Sequence, residues 1–83
     1  MSMKVRVLFF AALRERLQRT EASLELNEGA TVADLWSSLC GEHQSLQDIA
    51  GTVSFAVNRE YAGRDRQLSA GDAVALIPPV SGG

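Results

Sequence analysis

One cysteine, one histidine and two prolines occur in the 83 residues of this chain. A lone thiol, Cys40, can form no internal disulfide and cannot build a thiolate zinc cage. Sparse cysteine also fits a reducing compartment. Cys40 and His43 make a C-x-x-H, but the other usual metal ligands are missing, so no metal site is expected. A Cys–His nucleophile pair is disfavoured too, because Cys40 falls on an apolar helical face where burial would raise its pKa. His43 reads as a surface residue just past the end of that helix.

Long apolar runs are absent as well, and none approaches the ~20 residues that span a bilayer. The opening "MSMKVRVLFFAALRERL" mixes basic and apolar residues. Lys4 and Arg6 interrupt any signal-like core, so the expectation is a cytoplasmic protein that engages no membrane. There is no excess of positive charge: the formal net charge is -2, which argues against nucleic acid as a partner.

What remains suits one small soluble domain. Hydrophobic residues make up 46% of the chain, enough for a single core. A domain of this size buries about 60–65% of its unfolded surface.

"MKVRVLFF" alternates, with Met3, Val5, Val7 and Phe9 on one face and Lys4, Arg6, Leu8 and Phe10 on the other; this predicts a strand. "AALRERLQR" suggests a short amphipathic helix with Glu15 four residues before Arg19. A second strand is expected from Glu21 to Leu26, with Leu24 and Leu26 inward. In "TVADLWSSLCG", Thr31 is a good N-cap and Asp34 stands at N3. Val32, Leu35, Trp36, Leu39 and Cys40 share one helical face, and Gly41 is positioned to end the helix in the left-handed region.

"EHQSLQDIAG" suggests a second helical turn around Leu46 and Ile49. "TVSFAVN" alternates again, with Val53, Phe55 and Val57 inward. A brief strand near Tyr61 follows. Gly71 and Asp72 then turn the chain into a last strand from Ala73 to Ile77. This order predicts an α+β fold with the main helix across one face of a mixed sheet. A ubiquitin-like β-grasp roll fits it, with the first and last strands as parallel central neighbours.

The tail holds the chemistry. Average glycine usage makes a Gly-Gly end a matter of roughly one chain in two hundred by chance. Pro78 and Pro79 force the chain to leave the sheet extended and stiff. Residues 1–79 therefore read as the globular domain and residues 80–83 as an extended tail, which can reach roughly 13 Å at ~3.3 Å per residue. With no bulk at its tip, such a tail can thread a narrow channel and deliver the Gly83 carboxylate into a partner's pocket. Adenylation would make that carboxylate an acylating group open to a sulfur or amine nucleophile. Gly83 is thus the candidate reacting residue and Gly82 part of its finger.

Leu8, Phe10, Ala73, Ala75 and Ile77 should form an apolar patch on the outer face of the sheet, beside the point where the tail leaves. Exposed patches of this kind mark interfaces. Weaker candidates are the basic helix "RERLQR", which reads as a solvated face, and Glu60, Asp65 and Asp72, whose spacing specifies no pair. "GRDR" around Arg64 is too short and mixed for a phosphate cradle.

The combined patterns F-F-A-x-x-R-E, from Phe9 to Glu15, and G-D-x-V-x-x-x-P-P-V-x-G-G, from Gly71 to Gly83, resemble the molybdopterin synthase small-subunit family. "TVADL" and "AVN" add to the likeness. It covers most of the chain, with residues 42–51 the least diagnostic.

The resemblance implies a sulfur carrier whose Gly83 is adenylated with ATP by an E1-like enzyme and receives sulfur from a donor protein as a thiocarboxylate. The tail then enters the large synthase subunit and gives its sulfur to cyclic pyranopterin monophosphate. The implied complex is a heterotetramer with its catalytic side chains on the large subunit, and the carrier itself holds no permanent cofactor. The implied partner contacts are Leu8, Phe10, Arg14, Ala75, Ile77, Pro78, Pro79, Val80 and Ser81. Some relatives carry aromatic residues before the Pro-Pro, where Leu76 and Ile77 stand here. A sulfur carrier of the thiamine or another pathway, and a ubiquitin-like modifier without sulfur, remain as alternatives.

Overall fold

A computed structural model describes residues 1–10, 12–49 and 53–77. The elements in chain order are β1 (Ser2–Phe9), α1 (Ala12–Leu17), β2 (Glu21–Asn27), α2 (Val32–Glu42), a 3-10 helix (Gln44–Ile49), β3 (Ser54–Val57), β4 (Glu60–Ala62) and β5 (Ala73–Ile77). The five strands form one sheet in the order β2-β1-β5-β3-β4. β1 and β5 pair in parallel at its centre, and the other pairings are antiparallel. This is the β-grasp arrangement expected from the order of elements.

Alternation in β1 buries Met3, Val5, Val7 and Phe9. Val74 and Leu76 do the same from β5, in register with Val7 and Phe9. α2 covers this inner face with Val32, Leu35, Trp36 and Leu39. Phe55 meets Trp36 edge to face at 5.7 Å between ring centroids, the geometry favoured by aromatic quadrupoles. Leu13 of α1 and Leu46 of the 3-10 helix are also buried in this core.

The N-terminus of α2 is closed twice over. Thr31 and Asp34 form the reciprocal capping box, with the Thr31 N–H donating to Asp34 Oδ2 at 2.9 Å and the Asp34 N–H to Thr31 Oγ1 at 3.3 Å. The next two N–H groups, of Val32 and Ala33, donate to the carbonyls of Arg66 and Arg64. The loop containing "GRDR" therefore serves as a backbone cap, and its N–H acceptors leave α2 no free end for an anion. The Arg64 guanidinium lies over the Phe55 ring at 5.2 Å.

Two local expectations are corrected. Gly41 does not end α2 in the left-handed region; the helix runs on to Glu42, and the His43 N–H donates to the Leu39 carbonyl at 2.8 Å. The 3-10 helix takes over at once, with the Leu46 N–H bonded to the His43 carbonyl, so no glycine cap is needed. α1 also stops at Leu17, because Gln18 takes a φ of 55° and the Arg19 N–H closes back on the Arg14 carbonyl. That is a Schellman-type end. It leaves Arg19 off the helix, so Glu15 and Arg19 do not form the expected helical i,i+4 pair.

Leu76 is wholly buried at the centre of the sheet. Leu76→Ala should cost about 2–5 kcal/mol, read as a lower urea midpoint with an unchanged slope.

Candidate functional site

The outer face of the sheet, away from α2, carries a groove of about 700 Å³. Leu8, Phe10, Ala75 and Ile77, singled out by strand parity, all line it, and so does Ala73. The pairing explains why. Leu8 lies opposite Ala75, Ala75 opposite Ala56, and Ala56 opposite Tyr61. These four residues make an apolar row across β1, β5, β3 and β4, about 14 Å long at the usual strand spacing.

The middle of the row is two alanines, and its margins carry the exposed aromatics, Phe10 at 48% and Tyr61 at 78% exposure. Ala56 is only 7% exposed yet stands apart from the inner core; its neighbours on the outer face cover it. A shallow apolar strip with small residues at its floor can admit a ridge from another protein.

Arg6, Asn58 and Arg59 line the same groove. Arg6 is engaged by Glu21, Nη2 to Oε2 at 2.7 Å, with both side chains more than half exposed, so the pair adds little stability. Asn58 has a structural task. Its Nδ2 donates to Asp72 Oδ1 at 2.9 Å, and its Oδ1 accepts from the Ala73 N–H at 3.0 Å. Asp72 Oδ2 accepts from the Ser69 N–H at 2.8 Å. This network ties the β3–β4 hairpin to the turn that launches β5.

Parity did not name Ala56, although it sits on the outward register of "SFAV". The Asn58–Asp72 bond joins residues 14 apart in sequence and leaves no local pattern.

Arg14 is exposed on α1, where it lines a separate open depression with Gln18, Arg19, Thr20 and Glu21. Pro78, Pro79, Val80, Ser81, Gly82 and Gly83 lie outside the described residues, as does the boundary expected between residues 79 and 80. The description ends at Ile77, the last residue of β5 and part of the groove. Among the described residues, no three His, Cys, Asp or Glu side chains gather where they could hold a metal. No helix there is long and apolar enough to cross a membrane. Cys40 is half-buried, and desolvation pushes its thiol up from the ordinary value of 9.0, partly offset by Arg64.

A family model described as the ThiS family matches residues 7–83. The chain belongs to the ThiS family. Within it, the chain is 41% identical over 83 residues to the molybdopterin synthase sulfur carrier subunit of Chlamydomonas reinhardtii, a match covering 98% of this chain and 100% of that one. In structure it resembles small archaeal modifier protein 1 of Haloferax volcanii, with a TM-score of 0.84 at 27% identity over 94% of this chain and 99% of that one.

It also resembles a chain in the complex of subunits 1 and 2 of molybdopterin-converting factor from Helicobacter pylori. There the TM-score is 0.70 at 26% identity, with 98% of this chain and 100% of that one covered. This ThiS-family chain is thus a ubiquitin-like β-grasp protein of the sulfur-carrier type.

Two outcomes follow. Asn58→Gly keeps the turn conformation but removes both side-chain bonds, and should lower stability by about 1–2 kcal/mol, seen in thermal unfolding. The raised Cys40 pKa keeps the thiol protonated at neutral pH. Its alkylation rate should therefore rise with a midpoint above pH 9.0. The stability this group contributes is full below the unfolded pKa and is lost as pH climbs through the folded value.

Proposed function

We propose that this chain is the sulfur-carrier subunit of a molybdopterin synthase and that its working group is the Gly83 carboxylate. One observation carries the reading: the family match runs from residue 7 to residue 83 and so takes in the Gly-Gly end. The first-named relative, similar over almost its whole length, supports the same assignment.

The chain acts as a co-substrate, without catalytic side chains of its own. The Gly83 carboxylate attacks the α-phosphorus of ATP on an E1-like activating enzyme, and pyrophosphate leaves. A persulfide on a donor protein then displaces AMP to give an acyl disulfide. A second protein thiol cleaves its S–S bond, leaving a thiocarboxylate on Gly83 and a disulfide on the donor side. Gly82 and Gly83 present no side chain to hinder either attack.

With the carrier docked on the large subunit, the thiocarboxylate sulfur bonds to a carbon of cyclic pyranopterin monophosphate. Water cleaves the resulting acyl–sulfur bond, leaving sulfur on the pterin and restoring the carboxylate. Leu8, Phe10, Ala75 and Ile77 supply the docking face. Pro78, Pro79, Val80, Ser81, Gly82 and Gly83 are the residues offered to the partner's site, and Arg14 is a further contact from α1. The Helicobacter pylori complex of subunits 1 and 2 supports such an assembly. The reading takes the carrier to work in the cytoplasm.

The likeness to a small archaeal modifier protein favours one second reading, in which the activated Gly83 acylates amines of other proteins. Intact-mass spectrometry separates the two. The carrier reading expects a fraction with one terminal oxygen replaced by sulfur; the modifier reading expects branched conjugates.

One residue appended after Gly83 should abolish dithiolene formation with purified large subunit and pterin precursor, while circular dichroism stays unchanged. Full activity in the extended variant would overturn the carrier role.

A further inference from the structure

The β3–β4 hairpin turns on two residues, Asn58 and Arg59, and both have positive φ, 51° and 74°. A two-residue turn of this hand calls for Asn-Gly, since glycine alone takes the second position without steric cost. Asn58 suits its place and is rewarded by its bonds to Asp72 and Ala73. Arg59 does not suit its place. Among the described residues nothing in the chain compensates it: the side chain is exposed and has no hydrogen bond or ion pair.

Its neighbours are accounted for elsewhere. Glu60 precedes Tyr61 in β4, so their side chains leave opposite faces of the sheet. Asp72 is held by Asn58 and Ser69. Arg6, the other cation of the groove, is neutralised by Glu21. Arg59 therefore stands at the rim of an apolar groove as a charge without a counterion among the described residues, in a backbone conformation unfavourable for its type. An outlier of that kind points to a task outside the fold.

We infer that Arg59 is a specificity-determining contact of the docking face, and that the partner covering the face sets a carboxylate beside an apolar ridge. The inference rests on the proposed docking of this face against the large subunit. The ridge fills the strip from Leu8 to Tyr61, and the carboxylate meets Arg59 at its edge. A rim charge of this sort acts mainly through encounter rate and rejection of wrong partners, and it is sensitive to salt.

The test titrates the full chain with the molybdopterin synthase large subunit, using wild type, Arg59→Gly, Arg59→Lys, Arg59→Glu and Phe10→Glu. Glycine fits the turn better than arginine, so Arg59→Gly should unfold at the wild-type temperature or above it while binding about three- to fivefold more weakly at low salt. Arg59→Glu should lose about tenfold, and Arg59→Lys should stay within about twofold of wild type. These differences should close at about 1 M salt, where the screening length falls to about 3 Å.

Equal low-salt affinities for wild type, Arg59→Gly and Arg59→Glu would overturn the inference, as would tighter binding by Arg59→Glu. If Phe10→Glu weakens binding while the Arg59 series is flat, the docking face stands and the role of Arg59 falls. If folded Phe10→Glu also binds normally, the docking face itself is wrong and the role of Arg59 falls with it.

Discussion

The parallel ladder between β1 and β5 is the constraint on which the rest of the molecule depends. It joins the start of the chain to its last described strand, a closure over most of the sequence whose entropic cost must be met before the contacts of this ladder can offset it. Burial offsets that cost on the inner face, where Val7 and Phe9 stand in register with Val74 and Leu76 beneath α2. The same register sets Leu8 against Ala75 on the outer face. A one-residue slip would exchange the two faces, driving Ala73, Ala75 and Ile77 inward and exposing Val74 and Leu76. Core and outer groove are therefore set by one pairing.

The polar groups around this ladder hold its register. Arg6 and Gly71 extend the backbone bonding at the β5 entrance, through the carbonyls of Asp72 and Lys4 respectively. Asn58 fastens the hairpin to the same corner. At the other side of the core, the carbonyls of Arg64 and Arg66 close α2. Loops that look like solvated connectors thus satisfy backbone donors that would otherwise be orphaned near the core. This explains why "GRDR" and "GD" matter without supplying a ligand site.

Much of this was legible in the chain itself. The alternation of β1 and β5, the Thr31–Asp34 box and the apolar face of α2 are local patterns that tertiary contacts reinforce. Gly41 misled because glycine permits a left-handed cap without requiring one, and the 3-10 helix that makes it unnecessary begins with a weak signal. The Glu15–Arg19 pair failed because Gln18 took the left-handed position that glycine usually fills. Half of the groove was visible from parity. Ala56, Tyr61, Asn58 and Arg59 were not singled out, because their relation to Leu8 and Ala75 exists only once β3 pairs with β5. The tail was conspicuous for its composition, and its role rests on the family pattern and the proposed chemistry.

On the proposed reading, the outer groove and the Gly-Gly end divide the work of a carrier. A group loaded on one protein and unloaded on another must be held well enough to react and released soon enough to travel. A floor of small residues with aromatics only at the margins limits the apolar area that docking can bury, and hence the strength of the grip. On that reading, docking would hold the reacting carboxylate beside the partner's site at an effective concentration on the order of mM. Chemistry then needs proximity more than affinity. The charge inferred to act at the rim fits such a carrier, since it would raise the rate of correct encounter while adding only a modest, salt-sensitive increment to the bound state.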